Sequence, residues 1–344
     1  MIATLPQQAP SGGRSHFDLP ACVRRLFAAC APLLFMTSQP TAAAARDFPV
    51  RPVRIVVPST PGGALDILSR LLAQKLPERW GQALIVDNRA GAGGIIGSDI
   101  VAKATPDGHT LLVVALGYAA NPFLYEKLPY RTPQDFAAIT VVASAPNVLV
   151  VPPAVPAHSI REFIALAQRS DPPLVYGSSG VGTSGHLAVE LFKKLARVPL
   201  THVPYKGAGA STGAVVAGEV QLLSTALGAA YPHIKSGRLR ALAVTGNKRA
   251  AVAPEVPTAA ESGLPGYVVD GWFAALAPGK TPRRIVGELQ SDIAAVLALR
   301  DIAEKLAALG FDAGGMSPQE TDRFLEAEMA KWGKLIREAG IRGM

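Results

Sequence analysis

Short apolar runs alternate with helical patterns along most of this chain, and glycine gathers where one gives way to the next. Residues 54–57, 83–86 and 110–115 read as strands, and residues 64–76 place Leu65, Leu68, Leu72 and Leu76 on one helical stripe. The later part repeats the grammar. A strand at 174–176 leads into a helix at 186–195 with Leu187, Leu191 and Leu195 four apart, and strands follow at 201–203, 220–224 and 240–245. Alternation of this kind predicts parallel sheets. Two similar stretches predict two similar α/β lobes.

Helix starts are marked by side chains that cap free backbone amides. Ser159 with Glu162 forms a capping-box pattern, Thr132-Pro133 and Thr281-Pro282 set a cap before a proline at the first helical position, and Ser317, Pro318 and Glu320 combine both devices. The last opens a helix whose Leu325, Met329, Trp332 and Ile336 form an apolar stripe that packs back on the first lobe. The chain then crosses between lobes twice, with residues 46–146 and 247–344 in lobe 1 and 147–246 in lobe 2.

Residues 1–45 read as an export signal and stand apart from the fold. Arg24 and Arg25 precede an apolar run at 26–36, too short for a transmembrane helix of about 20 residues, and small residues at 41–45 place cleavage near Ala43 to Ala45. The paired arginines with Phe27 permit a twin-arginine route and equally an ordinary secretory one. Cys22 and Cys30 both fall in this leader, so the exported chain has no thiol, disulfide or cysteine metal ligand. The formal charge is +8; the leader holds Arg14, Arg24 and Arg25 against Asp18, which leaves +6. That excess suits an anionic ligand. Scattered single lysines and arginines without interleaved aromatics argue against nucleic acid.

Gly180, Gly182 and Gly185 spell G-x-G-x-x-G between a strand and a helix. A dinucleotide site would also need an acid about 20 residues on, at the end of the next strand, to hold the ribose. Pro204 and Tyr205 stand there instead. What remains is a helix N-terminus with unpaired amides and about half a positive charge, which glycines let a ligand approach. Ser178, Ser179, Thr183 and Ser184 add uncharged donors, and His186 either braces the loop or touches the pocket. The plain alternative is a capped turn with no ligand. Two further turns, Pro58 to Asp66 with Gly62 and Gly63, and Asn88 to Asp99, repeat the device.

Catalytic and metal chemistry find little support. Gly209, Ser211 and Gly213 give G-x-S-x-G, but Tyr205 to Ala208 separate the motif from the strand that a nucleophile elbow requires. The histidines occur singly, without helical ligand spacing, and no metal or organic cofactor is called for. Trp80, Trp272 and Trp332 sit in apolar contexts and read as core. No paired carboxylates or nucleophile and base appear, so the chain does not read as an enzyme.

The ordered blocks PGGALD (61–66), NRAGAGGIIGSDIVAKATPDGHTLL (88–112), YGSSGVGTSGHL (176–187), VPYKG (203–207), PHIKSGRLRALAVT (232–245) and PTAAESGLPGY (257–267) resemble the Bug or TctC family of extracytoplasmic solute receptors. These are the substrate-binding proteins of tripartite tricarboxylate transporters. The resemblance covers nearly the whole exported chain. It implies a periplasmic binding protein of type II topology, two α/β lobes joined by two crossover segments, closing on a small mono- or dicarboxylate between two glycine-rich turns. Carried onto this chain, one turn is Ser59 to Gly63 and the other Ser178 to Ser184, and the candidate ligand residues are Ser59, Thr60, Gly62, Gly63 and Asp66 on one side and Ser178, Ser179, Gly182, Thr183, Ser184 and His186 on the other, with Tyr205 and Ser224. Ser59 replaces a common family aromatic, which implies a smaller, more polar wall. Gln221 and Ser224 stand where family members often carry acids, which argues against a ligand amine. The partners implied are the membrane subunits of a transporter, with a periplasmic sensor as the alternative, and a monomer suffices.

Overall fold

The computed structural model describes residues 48–343; the export signal assigned to residues 1–45 lies outside them. In chain order the elements are β1 (Val53–Val57), α1 (Ala64–Trp80), β2 (Leu84–Asn88), a 3-10 turn (Ala92–Gly94), α2 (Ile95–Ala102), β3 (Thr110–Val114), α3 (Gly117–Leu124), β4 (Phe136–Val151) and α4 (Ile160–Arg169). They continue with β5 (Leu174–Ser178), α5 (Ser184–Ala196), β6 (Leu200–Pro204), α6 (Ala208–Ala217), β7 (Leu222–Ala226), α7 (Leu227–Lys235) and β8 (Arg240–Val244). The last are β9 (Asp270–Pro278), α8 (Arg283–Leu297), α9 (Arg300–Ala308), β10 (Asp312–Ala313) and α10 (Pro318–Ala339).

The strands pair in the order β2-β1-β3-β9-β4-β7-β5-β6. The β2-β1-β3 and β7-β5-β6 groups are parallel, as alternating strands and helices dictate. Two antiparallel strands join them, and these add to the strands expected from sequence. From Phe136 to Pro146, β4 pairs with β9; from Asn147 to Val150 it pairs with β7. The change falls at Pro146, which has no amide to give a ladder.

The returning segment after β8 is tied to this junction by Thr245. Its buried hydroxyl accepts from the Asn147 amide at 3.0 Å and lies 2.5 Å from the Val269 carbonyl. Both passages between the lobes therefore meet at one side chain.

Strands covered on both faces read as continuous apolar runs, and β1 and β3 show why. Val53, Ile55, Leu111 and Val113 pack with Leu68, Leu72, Leu76 and Trp80 of α1 and with α8. Val56, Leu112 and Val114 face the opposite way, into a core that continues through Trp332 and Ile336 of α10 to Leu187 and Phe192 of α5. Val148 and Val150 of β4 pack with α6 and α7 on the far face of the second lobe. The tryptophans are buried as expected, at 5, 1 and 0 % exposure for Trp80, Trp272 and Trp332.

Some local expectations change. Thr132-Pro133 opens a single turn, because the Asp135 carboxylate folds back on the Arg131 amide and guanidinium and β4 begins at once. Pro282 is itself the cap residue of α8, with no side-chain cap. Leu195 is 39 % exposed; α5 instead buries Gly185 to Glu190, packed on β5 and β7 and covered by Tyr267, whose hydroxyl donates to the Ala188 carbonyl. Ser317 and Glu320 form the full capping box of α10.

Candidate ligand-binding site

A cavity of about 220 Å³ lies where strand-to-helix turns from the two lobes converge. One wall is the β5–α5 turn, with Val181, Gly182, Thr183 and Ser184. The other combines Ala115 to Tyr118 and Asn121 of the β3–α3 region with Gly93, Gly94 and Ser98 of the β2–α2 region. Pro58 and Leu65 are all that the β1–α1 turn contributes. No charged side chain among the described residues lines the cavity. Anything bound there meets backbone, hydroxyls, an amide and apolar groups. Burial pushes the Tyr118 phenol up, so it stays a neutral hydroxyl.

The glycine pattern of the β5–α5 turn has a separate reason at each position. Gly180 and Gly182 have φ of +136° and +77°, backbone that L side chains rarely adopt. Gly185 lies so close to β7 that a Cβ there would stand 2.3 Å from the Ser224 carbonyl oxygen. Thr183 caps α5: its hydroxyl accepts from the His186 amide and donates to the Gly180 carbonyl at 2.8 Å. His186 is 3 % exposed, and its Nδ1 accepts from the Gly182 amide at 3.1 Å. It braces the loop and is not among the lining residues. The first two amides of α5, at Ser184 and Gly185, have no intrahelical partner by the geometry of a helix start.

The β1–α1 turn is arranged differently. Asp66, 3 % exposed, accepts from the Gly62 amide at 2.9 Å and from Arg70 Nε at 2.9 Å. The Arg70 hydrogen bond, with help from Gly62 and Asn88, holds its carboxyl below the usual carboxylate range despite burial. Asp66 thus ties the preceding loop onto the first turn of α1, whose N-cap, Gly63, has no side-chain cap. Ser59, Thr60, Gly62 and Gly63 are not among the lining residues; the Ser59 carbonyl accepts from Asn88 Nδ2 at 3.1 Å.

The remaining expected residues also lie off the cavity. Ser178 is fully buried, with Oγ 2.7 Å from His202 Nε2 and accepting from the Gly180 amide at 3.2 Å. The Ser179 carbonyl accepts from the Gly207 amide. Tyr205 packs beside Gly177 and donates its hydroxyl to Glu219 at 3.2 Å. Ser224 is buried in β7, with no hydrogen-bond partner for Oγ among the described residues. Gln221 is spent on the Val175 amide, at 2.9 Å. The substitutions at Ser59, Gln221 and Ser224 therefore do not shape this cavity. Ser211 lies inside α6 with its hydroxyl on the Ala208 carbonyl, which removes the nucleophile-elbow geometry.

Sequence reasoning missed the β3–α3 wall. Its strand-to-helix position after residues 110–115 was a usable signal, but the turn carries a single glycine, Gly117, and no hydroxyl cluster. Asn121 was missed too; it is 4 % exposed and its Nδ2 donates to the Gly93 carbonyl at 3.1 Å, locking two turns of this wall together. A larger cavity of about 570 Å³ lies beside the crossovers and is lined by Lys248, Arg249, Asp270 and Asp312 among others. It lacks helix N-termini, and its Lys248 and Asp312 already pair at 3.2 Å.

The chain matches the model of the tripartite tricarboxylate transporter family receptor, TctC, over residues 68–341. It is 41 % identical over 317 residues to the UPF0065 protein in the tcbD-tcbE intergenic region of a Pseudomonas species, covering 92 % of this chain and 94 % of that one. Among solved structures, R. palustris Rpa4515 with adipate is 40 % identical at a TM-score of 0.80, covering 87 % of this chain and 100 % of that one. MatC from Rhodopseudomonas palustris with bound malate is 31 % identical at 0.75, covering 84 % and 100 %. With its two lobes, two crossovers and a cleft of strand-to-helix turns, the chain belongs to the TctC family of tripartite tricarboxylate transporter receptors.

Proposed function

We propose that this receptor captures a small dicarboxylate of the adipate or malate kind in the cavity at the α5 N-terminus and delivers it, in the periplasm, to the membrane subunits of its transporter. The observation that carries this reading is the uncharged cavity, whose donors toward a ligand are the α5 N-terminus, the Ser184 hydroxyl, Tyr118 and Asn121, while Thr183 and Ser98 give their protons to the Gly180 and Gly94 carbonyls. Amides and hydroxyls of this kind stabilise a carboxylate without a competing ion pair. The size agrees, being below the roughly 300–1,000 Å³ of drug-sized sites. The adipate and malate named for the two structural relatives are dicarboxylates, and family membership favours transport over a sensor partner.

In mechanism, one ligand carboxylate accepts from the Ser184 amide and hydroxyl at the α5 N-terminus. The β3–α3 wall takes the rest of the molecule against Leu116, Tyr118 and Asn121. A ligand that touches both walls stabilises the state in which they are close, so binding shifts the lobes toward closure. Residues 46–146 and 247–344 move against 147–246 about the Thr245 junction. No bond is made or broken in this cycle.

Thermal unfolding against mono-, di- and tricarboxylates and amino acids tests the proposal. A ligand at one hundred times its Kd stabilises by about 2.7 kcal/mol. A response to adipate or malate and none to aspartate is expected. Silence of the folded, ligand-free protein toward every carboxylate would overturn it.

A further inference from the structure

Beneath the β5–α5 turn, Tyr176, His202 and His186 form a continuous stack of rings. The His186 and His202 centroids are 4.1 Å apart with planes 21° from parallel, and those of His202 and Tyr176 are 4.7 Å apart at 18°. The stack follows from the fold, since Tyr176 and His202 are register partners on β5 and β6 and His186 descends from the first turn of α5. Its far end is fixed by Glu190, whose Oε1 accepts from the Tyr176 hydroxyl at 2.5 Å and from Lys193 Nζ at 2.7 Å.

Its near end is wired to the ligand turn twice. The Gly182 amide can only donate, so the His186 Nδ1 facing it carries no proton, and the neutral ring keeps its proton on Nε2. His202 Nε2 lies 2.7 Å from Ser178 Oγ, which in turn accepts from the Gly180 amide. The two glycines with positive φ are thus each held by one of the two stacked imidazoles.

We propose that His186 and His202 are positioning residues that hold the β5–α5 turn in its binding-competent shape, His186 by occupying the Gly182 amide and His202 through Ser178. This rests on the reading above that the turn receives the ligand carboxylate. The consequence is a division of labour along one loop. The Gly182 amide belongs to the protein, and the Ser184 amide is left for the ligand. Burial supports the arrangement by keeping both rings neutral, with His186 pushed down to about 3 and His202 to about 4.

The test separates the acceptor from the ring. His186→Phe keeps a ring in the stack and loses the acceptor. His186→Asn keeps an acceptor near the Nδ1 position and loses the ring. Amide hydrogen exchange of residues 180–184 in the ligand-free protein and calorimetric titration with adipate are read together with Tm. For His186→Phe, faster exchange at Gly182, little change in Tm and adipate binding about ten-fold weaker are expected, the size of one lost hydrogen bond. For His186→Asn, a lower Tm with exchange and affinity within about three-fold of the parent is expected. Affinity that tracks Tm across the pair, or unchanged Gly182 exchange in His186→Phe, would overturn the proposal. If the parent protein itself gives no heat with adipate, the ligand assignment fails, and the exchange comparison alone decides the positioning role. Should His186→Phe not fold, His202→Phe against His202→Gln asks the same of the Ser178 arm.

Discussion

At the start of α1 the Gly62 amide is occupied by the Asp66 carboxylate, which Arg70 neutralises; at the start of α5 the Gly182 amide is occupied by an uncharged imidazole and the cap is a threonine hydroxyl. Both turns join a parallel strand to a helix through glycine, and both read from sequence as anion cradles. A helix N-terminus presents about half a positive charge. At α1 that charge already faces an internal carboxylate, whereas at α5 it faces only neutral groups. The turn whose capping side chains bring no negative charge is the one that lines the cavity from Val181 to Ser184, and the turn that carries its own anion contributes only Pro58 and Leu65. What a glycine-rich turn offers a ligand therefore depends on which side chain has taken its amides first.

Acid should break the two turns in a fixed order. Burial holds His186 and His202 neutral in the folded protein, down to about 3 and about 4, against an ordinary value of 6.5. The groups packed around them are Tyr176, Glu190 and Lys193. Because the unfolded chain takes up protons that the folded chain refuses, stability is complete above about pH 6.5 and falls as pH drops toward 4. The slope is about 1.4 kcal/mol per pH unit for each histidine. Asp66 has the opposite kind of chemistry, a carboxyl lowered by Arg70, and its contribution is lost only below its ordinary 3.8. Between pH 7 and 4.5, thermal unfolding is expected to show a falling Tm, and amide exchange, corrected for its own slowing in acid, is expected to show protection lost first at residues 180–184. A flat Tm over that interval would remove the distinction between the turns.

Paired glycine substitutions probe the same comparison through the backbone. Gly182 has φ of +77°, and a Cβ there would stand 2.3 Å from Leu124 Cδ1, on the helix that forms the opposite wall. Gly182→Ala meets left-handed strain of about 1–2 kcal/mol and displaces that contact, and adipate affinity is expected to fall at least about ten-fold. Gly63 has φ of −80° and ψ of 170°, and a Cβ would find nothing nearer than 3.7 Å. Gly63→Ala should leave affinity within about three-fold. Equal losses in calorimetry would mean that both turns hold the ligand.

The sequence carries the elements better than it carries their use. Leu65 to Leu76 and the capping box at Ser317 are local patterns, and they survive because a helix reads its own neighbours. The crossover strand is not local: β4 belongs to two sheets, and the switch at Pro146 is set by β9 and β7, more than 70 residues away in the chain. The α5 side of the cavity was legible because positive φ demands glycine and a helix start demands a hydroxyl. Asp66 was readable as an acid near glycines, but only the direction of its carboxylate shows that it points at Gly62. Tyr118 and Asn121 carried no pattern, since one wall residue and one locking amide need no spacing. His202 escaped because its role arises from the register that sets it beside Tyr176.

The smallest expected effects give the sharpest comparison. Asp66→Ala and Thr183→Ala each remove a side chain that accepts from a backbone amide at a helix start, and each should cost about 1 kcal/mol of stability. Their effects on adipate binding should differ in sign or size. Thr183→Ala removes a cavity-lining hydroxyl that also holds the Gly180 carbonyl, so affinity is expected to drop. Asp66→Ala removes a negative charge beside Leu65, a lining residue, and leaves Arg70 without that partner, so an anion should bind as well as before or tighter. A parallel loss of affinity in both, at matched loss of Tm, would mean that the two side chains serve the ligand alike and that the charge of Asp66 has no bearing on where it binds.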